Sequence, residues 1–313
     1  MSRHLTGDDP VIGRGLFVSK NIFGYMSERI STTNQGDKIV FVLHLICSEK
    51  VRQGLEKMDN KCSEKNIKLF SYDDTFPWKI VINPMPYPKK IQISSKAQVR
   101  IVESLVKDVH LGACALVSGA PGSGKTYIAD LVAVKLSKGG YKPSIINGFN
   151  PTKKGNSLRQ IIHRTKPSKE SPLILCFNEF DKLIQKVHDE RVVDSEHFNI
   201  NVVDKSDLSN LLDEIAGLQN VIVIATTNQP LDWFKNPVNS YVVRDGRFSH
   251  LYELESLSAK DAIDCFLDGC DKYGIEADIP DFKSRENITL ATLANAFYRC
   301  HGDAEILMER LGF

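Results

Sequence analysis

No stretch of these 313 residues stays apolar over the roughly 20 positions that a membrane-spanning helix needs, so a helical membrane protein is not expected. An excess of one charge is also missing: 40 Lys and Arg face 39 Asp and Glu, for a formal net charge of +1. With no global field, any contact with nucleic acid or an anionic surface has to be local. Disulfide spacing is absent too. The seven cysteines are an odd number, none forms a C-x-x-C pair, and Cys114 and Cys176 lie in apolar runs where cysteine acts as a small hydrophobe. A soluble protein of a reducing, cytoplasmic compartment is expected. The opening MSRHLTGDDP has no apolar core behind its basic residues, and Asp8-Asp9 argues against a transit peptide. There is neither an internal repeat nor a low-complexity tract.

What is present is alternation. Apolar runs at 113–118, 143–147, 173–177, 221–225 and 250–254 read as strands, and 127–136, 158–164 and 208–218 between them read as helices. This pattern predicts an α/β fold with a parallel sheet covered by helices. Val99, Val102, Val106 and Val109 recur at helical spacing and predict an amphipathic helix leading into the first strand.

The texture changes after Glu255. Ser258-Ala259-Lys260-Asp261 resembles a capping box, with Ile263, Phe266, Leu267 and Cys270 as one apolar face behind it. Helices at 288–300 and 304–311 complete a small helical unit. At the other end, 38–47 reads as a strand, and Ser48 caps an expected helix carrying Val51, Leu55 and Met58. Further strands are expected at 67–72 and 78–83, followed by an extended linker through Pro84, Pro86 and Pro88. The expected division is an α+β domain over 1–90, an α/β core over 91–255 and a helical lid over 256–313.

Gly119-Ala120-Pro121-Gly122-Ser123-Gly124-Lys125-Thr126 matches G-x-x-x-x-G-K-[ST], after an expected strand and before an expected helix. Glycines let the backbone curl so that successive N–H groups point at phosphate oxygens, helped by the positive end of the helix. Lys125 would neutralise β- and γ-phosphate oxygens, and the Thr126 hydroxyl would ligate Mg²⁺. The alternative is a glycine-rich turn that matches by chance.

The apolar run 173–177 ends in Asn178-Glu179-Phe180-Asp181. This strand is expected next to the first, with Glu179 orienting and deprotonating an attacking water. Asn178 stands where an aspartate would bind the metal's water shell. Its amide can accept hydrogen bonds from metal-bound water but brings no charge, so slower turnover or weaker Mg²⁺ dependence is expected. Asp181 reads equally as a charge at a helix N-terminus. The run 221–225 leads to Thr226-Thr227-Asn228, with Asn228 expected between water and γ-phosphate. Arg244-Asp245-Gly246-Arg247-Phe248 follows. Its arginines are expected to be donated to the nucleotide of a neighbouring copy, where one guanidinium can be worth roughly 10³–10⁵ in rate. The alternative is a salt-bridge pair.

The loop, the N-E strand, the TTN strand and R-x-G-R-F stand in the order found in AAA ATPases, and the resemblance covers about 95–255. It implies ATP and Mg²⁺ as ligands, a homo-oligomer in a hexameric ring, ATP at each interface and the helical unit as a lid. The lid sequence Ile288-Thr289-Leu290-Ala291-Thr292-Leu293-Ala294-Asn295-Ala296-Phe297, with Tyr298-Arg299-Cys300-His301-Gly302-Asp303 after it, resembles the branch of the mitochondrial translocase of the Rieske iron–sulfur protein. That branch's transmembrane helix is missing here. Arg310 is a weak candidate for a second sensor in the lid.

The family's substrate-gripping loop aligns with Pro151-Thr152-Lys153-Lys154-Gly155, which lacks an aromatic, while Phe149 reads as the end of the strand before it. Lys153 and Lys154 would make a basic pore ring able to engage a phosphate backbone, or be solvated lysines. His188, Asp189, Glu190, Asp194, Glu196 and His197 read as a charged loop and not as a metal site. The favoured expectation is a motor that remodels or translocates a protein. A nucleic-acid translocase and a slow-hydrolysing ATP-dependent scaffold are the alternatives.

Overall fold

The computed structural model describes residues 15–19, 22–33, 36–47, 67–72, 82–85, 93–153, 155–189, 192, 200–284 and 288–313. Contacts divide the chain into two compact units, Met1–Lys65 and Asn66–Phe313. In the first, β1 (Gly15–Ser19), β2 (Ile22–Thr33) and β3 (Gly36–Cys47) form an antiparallel sheet in that order. The expected strand 38–47 lies within β3. The helix expected after Ser48 falls outside the described residues.

The second unit contains a seven-stranded sheet in the order β10-β6-β9-β8-β7-β4-β5. Its strands are β4 (Lys68–Tyr72), β5 (Ile82–Met85), β6 (Ala113–Gly119), β7 (Ser144–Ile146), β8 (Leu173–Phe177), β9 (Val221–Thr227) and β10 (His250–Leu254). All neighbours pair in parallel except β4 and β5.

Three expectations are corrected here. The boundary at 90/91 is replaced by one at 65/66, because β4 pairs with β7 and so extends the core sheet. Pro84 belongs to β5 and not to a linker, at the sheet edge where a residue without an N–H is tolerated. Residues 78–81, Pro86 and Pro88 lie outside the described residues. The strand ending in Asn178 is not next to the P-loop strand either, since β9 is inserted between β6 and β8.

The middle strands alternate between two cores. Leu173, Leu175 and Phe177 of β8 face one, with Val221, Val223 and Ala225 of β9; Ile174, Cys176, Ile222 and Ile224 face the other. Burial on both faces explains why these strands read as continuous apolar runs. One face is covered by α1 (Lys96–Lys107) and α2 (Ile128–Lys138), the other by α3 (Leu158–Thr165), α4 (Phe180–His188) and α5 (Lys205–Ala216). Helix α5 starts and stops earlier than expected, because the Asp204 side chain accepts from Asp207 N–H and Gly217 ends the helix. The short helix α6 spans Leu231–Lys235.

The valine stripe marks the buried face of α1 only in part: Val102 is buried, as is Val109 just beyond the helix. Val99 is exposed and Val106 half-buried, while Gln98, Ile101, Val102 and Leu105 are buried. The helical unit expected as a lid comprises α7 (Ala259–Tyr273), α8 (Leu290–Arg299) and α9 (Ala304–Leu311), with its own apolar core that also takes in Ile93. Ser258 caps α7 as expected, accepting from Asp261 N–H. The buried residues of α7 are Ala262, Cys265, Phe266 and Gly269, whereas Leu267 is exposed. No helix among the described residues is long and apolar enough to cross a membrane.

Candidate active site

All strands that carry candidate residues end on one side of the sheet, because they run parallel. Register sets their levels: Ser118 lies across from Thr227, Gly119 across from Leu254, and Phe177 across from Ala225. The loop after β6, the Asn178–Glu179 corner after β8 and Asn228 after β9 therefore meet at one rim.

The loop is built around positive-φ glycines, Gly122 at +81° and Gly124 at +85°. Space demands glycine as well. A Cβ on residue 124 would lie 2.5 Å from Gln98 Nε2 and 2.8 Å from Leu290 Cδ2, and one on residue 122 would lie 3.0 Å from Thr289 Oγ1. Tyr127 and Ile128 N–H groups bond back to Gly124 and Lys125 carbonyls, so α2 starts at the loop's end. No described protein acceptor takes the N–H groups of Gly122, Gly124, Lys125 and Thr126, and Ser123 Oγ is buried with no hydrogen-bond partner. A curl of open amide donors at the start of a helix fits phosphate oxygens.

Lys125 is buried, and its Nζ donates to the carbonyls of Gly119 and Ala120, both at 2.8 Å. Burial pushes its ammonium below the usual lysine range, and the Asp181 carboxylate partly offsets this. Thr126 is exposed at the rim. Ala120 and Pro121 complete the loop, with Ser123 N–H closing a turn onto the Ala120 carbonyl at 3.3 Å.

Asn178 is exposed and donates through Nδ2 to Asn147 Oδ1 at 3.0 Å, and no described donor uses its own Oδ1. Thr126 and Asn178 each bring to the rim an oxygen of the kind that a hard cation and its water shell take, beside the Glu179 carboxylate. Glu179 has left-handed backbone (φ 52°, ψ 50°), a conformation that costs a non-glycine residue about 1–3 kcal/mol and often occurs at working sites. Its Oε1 pairs with Lys182 Nζ at 2.8 Å on the exposed side of α4. Asp181 does sit in the first turn of α4, but it is buried and accepts from Thr227 Oγ1 at 2.8 Å. Asn228 is exposed at the end of β9, and Ser118 Oγ ties the next residue to the P-loop strand by donating to the Gln229 carbonyl at 2.6 Å.

The two arginines differ. Arg244 is exposed. Arg247 is buried and engaged inside its own chain: Nε and Nη2 bind Asp213 Oδ1 and Oδ2 at 2.6 and 2.9 Å, and Nη1 donates to the Tyr241 carbonyl. The pairing holds Asp213 below the usual carboxylate range. The expectation that both arginines are free to be offered to a neighbour is corrected for Arg247, whose guanidinium is consumed by α5.

The loop expected to grip substrate is compact. Asn150 Oδ1 accepts from Thr152 N–H and Oγ1, Lys186 Nζ donates to Thr152 Oγ1, and Asn156 Nδ2 donates to the Asn150 carbonyl. Lys153 is exposed; Lys154 lies outside the described residues. Phe149 is buried against Phe177, ring centroids 5.0 Å apart, beyond the end of β7. His188 Nε2 lies 3.1 Å from Tyr241 Oη, and Glu190, Asp194, Glu196 and His197 are outside the described residues. No group of three or more His, Cys, Asp or Glu suited to a metal occurs among the described residues. Arg310 is exposed in the last turn of α9.

Sequence reasoning missed the lid's contact with the loop. Ala291 N–H, in the first turn of α8, donates to the Gly122 carbonyl at 3.1 Å. It also missed Gln98, which is fully buried and donates to the Gly124 carbonyl at 2.9 Å while accepting from Ser95 N–H. Ser95-x-x-Gln98 is a capping-box spacing and could have flagged it.

No curated protein matches this chain. Among solved structures, the Aeropyrum pernix ORC2 protein (ADPNP–ADP complexes) is similar over 64% of this chain, with 11% sequence identity and a TM-score of 0.42. The chain spans little more than half of that structure's length, 55%. Residues 115–256 match the model of the family described as "ATPase family associated with various cellular activities (AAA)". The matched stretch holds the P-loop, the Asn178–Glu179 corner, Asn228 and the Arg244 turn, and it lies on an α/β P-loop fold.

Proposed function

We propose that this chain is a Mg²⁺-dependent ATPase that works as a homo-oligomeric ring and uses hydrolysis to remodel or translocate a macromolecule, with protein as the favoured substrate. The observation that carries the reading is Lys125, buried at the head of β6 within the field of Asp181, where the ends of β8 and β9 converge. A lysine there meets the β- and γ-phosphates while the amides of residues 122–126 wrap the β-phosphate. Magnesium, when bound, neutralises the phosphate oxygens, and Thr126 and Asn178 are the residues that would hold it. Glu179 takes the proton of the attacking water after turning from Lys182, and Asn228 orients that water against the γ-phosphate. Arg244 of a neighbouring copy meets the charge that develops on the transferred group. Asn178 brings no charge to the metal, so turnover is slow for such a site.

The experiment is steady-state phosphate release from Mg-ATP, paired with nucleotide binding. The wild type turns over, Lys125→Ala loses binding, and Glu179→Gln keeps binding but stops hydrolysing. Turnover by Glu179→Gln at the wild-type rate would remove Glu179 as the base. A wild type that binds ATP and forms rings without turnover would favour a scaffold.

A second reading rests on the loop after β7. It holds Lys153 and Lys154 and no aromatic beyond the buried Phe149, a chemistry suited to a phosphate backbone more than to gripping a polypeptide. Stimulation by polynucleotide that fades with salt, and that disappears in Lys153→Ala/Lys154→Ala, favours nucleic acid. Stimulation by unfolded protein favours the motor on polypeptide.

A further inference from the structure

Segment 240–248 treats its two arginines in opposite ways, and the buried one fixes the exposed one. Both nitrogens on the Asp213 side of the Arg247 guanidinium are satisfied by a single carboxylate, at 2.6 and 2.9 Å, and Nη1 also reaches Ser209 Oγ at 3.5 Å. A two-point pair of this kind sets the plane of the guanidinium as well as its distance. The backbone N–H of Arg247 then closes a turn onto the Arg244 carbonyl at 3.0 Å, and Gly246, at φ +92°, lets the chain bend there. Phe248 anchors the far side of the turn in the core, with its ring 5.7 Å from Phe180, the residue after Glu179. Arg244 is the arginine that this turn leaves exposed, together with Asp245 and Gly246.

We propose that Asp213 is a positioning residue: through its two-point pair with Arg247 it holds the turn that presents Arg244 to the nucleotide of the next subunit. The inference rests on the reading of Arg244 as a residue donated between copies. Asp213 lies near the C-terminal end of α5, which runs on to Leu218 against Gly112, while Ser249, just past Arg247, bonds to Cys114. Gly112 and Cys114 are at the start of β6, the end opposite the P-loop, so loss of Asp213 is expected to damage the neighbour's site and spare its own. That asymmetry separates a positioning role from a general structural one.

The test is mixing of full-length subunits. Asp213→Asn keeps the shape of the side chain and removes its charge. Alone, it is expected to bind a fluorescent ATP analogue normally and to hydrolyse ATP roughly 10- to 100-fold more slowly, as misplacement of a catalytic group by about 1 Å does. Mixed with Lys125→Ala subunits, which cannot use their own site but carry an intact Arg244, it recovers turnover, because its own P-loop is served by the partner's arginine. Arg244→Ala mixed with Lys125→Ala is the reference and recovers in the same way. Recovery in the reference without recovery for Asp213→Asn, or wild-type turnover by Asp213→Asn alone, overturns the role of Asp213 and leaves the shared site standing. No recovery in the reference removes the shared site and the inference together. Should Asp213→Asn fail to fold, Arg247→Lys, which keeps the charge but cannot make the two-point pair, is expected to show the same recovery, and its failure to do so counts equally against the proposal.

Discussion

Thr227 Oγ1 donates a 2.8 Å hydrogen bond to Asp181 Oδ1, and both residues are buried. The bond joins the end of β9 to the first turn of α4, so it locks the corner bearing Glu179 to the strand end bearing Asn228. Thr227 also accepts from Gln229 N–H at 3.0 Å, which shapes the chain on the far side of Asn228. The same Asp181 carboxylate supports the charge of buried Lys125. One carboxylate thus links the residue expected to hold phosphate with those expected to handle water.

Thr227→Val keeps the volume and removes the donor. A hydrogen bond to a charged group is worth about 1.5–3 kcal/mol, and that much stability is expected to be lost. Urea unfolding should show a lower midpoint with an unchanged slope.

Gly124→Ala is expected to abolish nucleotide binding and to lower Tm more than Gly122→Ala does. Both positions have left-handed φ, which costs about 1–2 kcal/mol with a side chain. Only at 124 does the new Cβ also fall under 3.0 Å from two side chains. Titration calorimetry with ATP and thermal melts of the two variants check the order.

Lys182→Ala releases the Glu179 carboxylate from its 2.8 Å ion pair. An exposed pair is a weak restraint, so turnover is expected to rise by a factor of about 2–5 with KM for ATP unchanged. Added salt should raise the wild type toward the variant and leave the variant alone. A drop in turnover would mean that Lys182 holds the base in its working orientation.

Alkaline pH is expected to destabilise the fold through its buried thiols. Burial pushes Cys114 from 9.0 up to about 12, and Cys176 is pushed up as well. A raised acid keeps its proton in the folded state while the unfolded chain loses it. The stability is therefore complete below the unfolded value near 9 and falls above it, by about 1.4 kcal/mol per pH unit for each thiol. Buried Lys125, shifted the opposite way, offsets part of this fall. Urea midpoints between pH 8 and 10 should decline, and less steeply in Cys114→Ala.

The central parallel strands were legible because burial on both faces writes them as apolar runs, and β8 falls where the sequence places it; β10 also falls there, although it alternates half-buried and exposed residues up to buried Leu254. Their order was not legible, since nothing local to 221–227 says that it lies between β6 and β8. Allegiance failed in the same way at β4, whose strand character is plain but whose partner β7 lies far along the chain. On α1 the apolar pattern named Val99, while the buried place belongs to Gln98, a polar residue satisfied by Ser95 and Gly124. The phosphate loop was readable as a contiguous motif. The fate of Arg247 was not, because its partner Asp213 sits 34 residues away on α5.

The central claim is that each nucleotide is completed by two copies of the chain. Specific ATPase activity measured across a dilution series tests it most directly. Activity per subunit that rises with protein concentration, in step with assembly seen by light scattering, is the predicted result. Full activity per subunit from a species that stays monomeric at saturating ATP would contradict it.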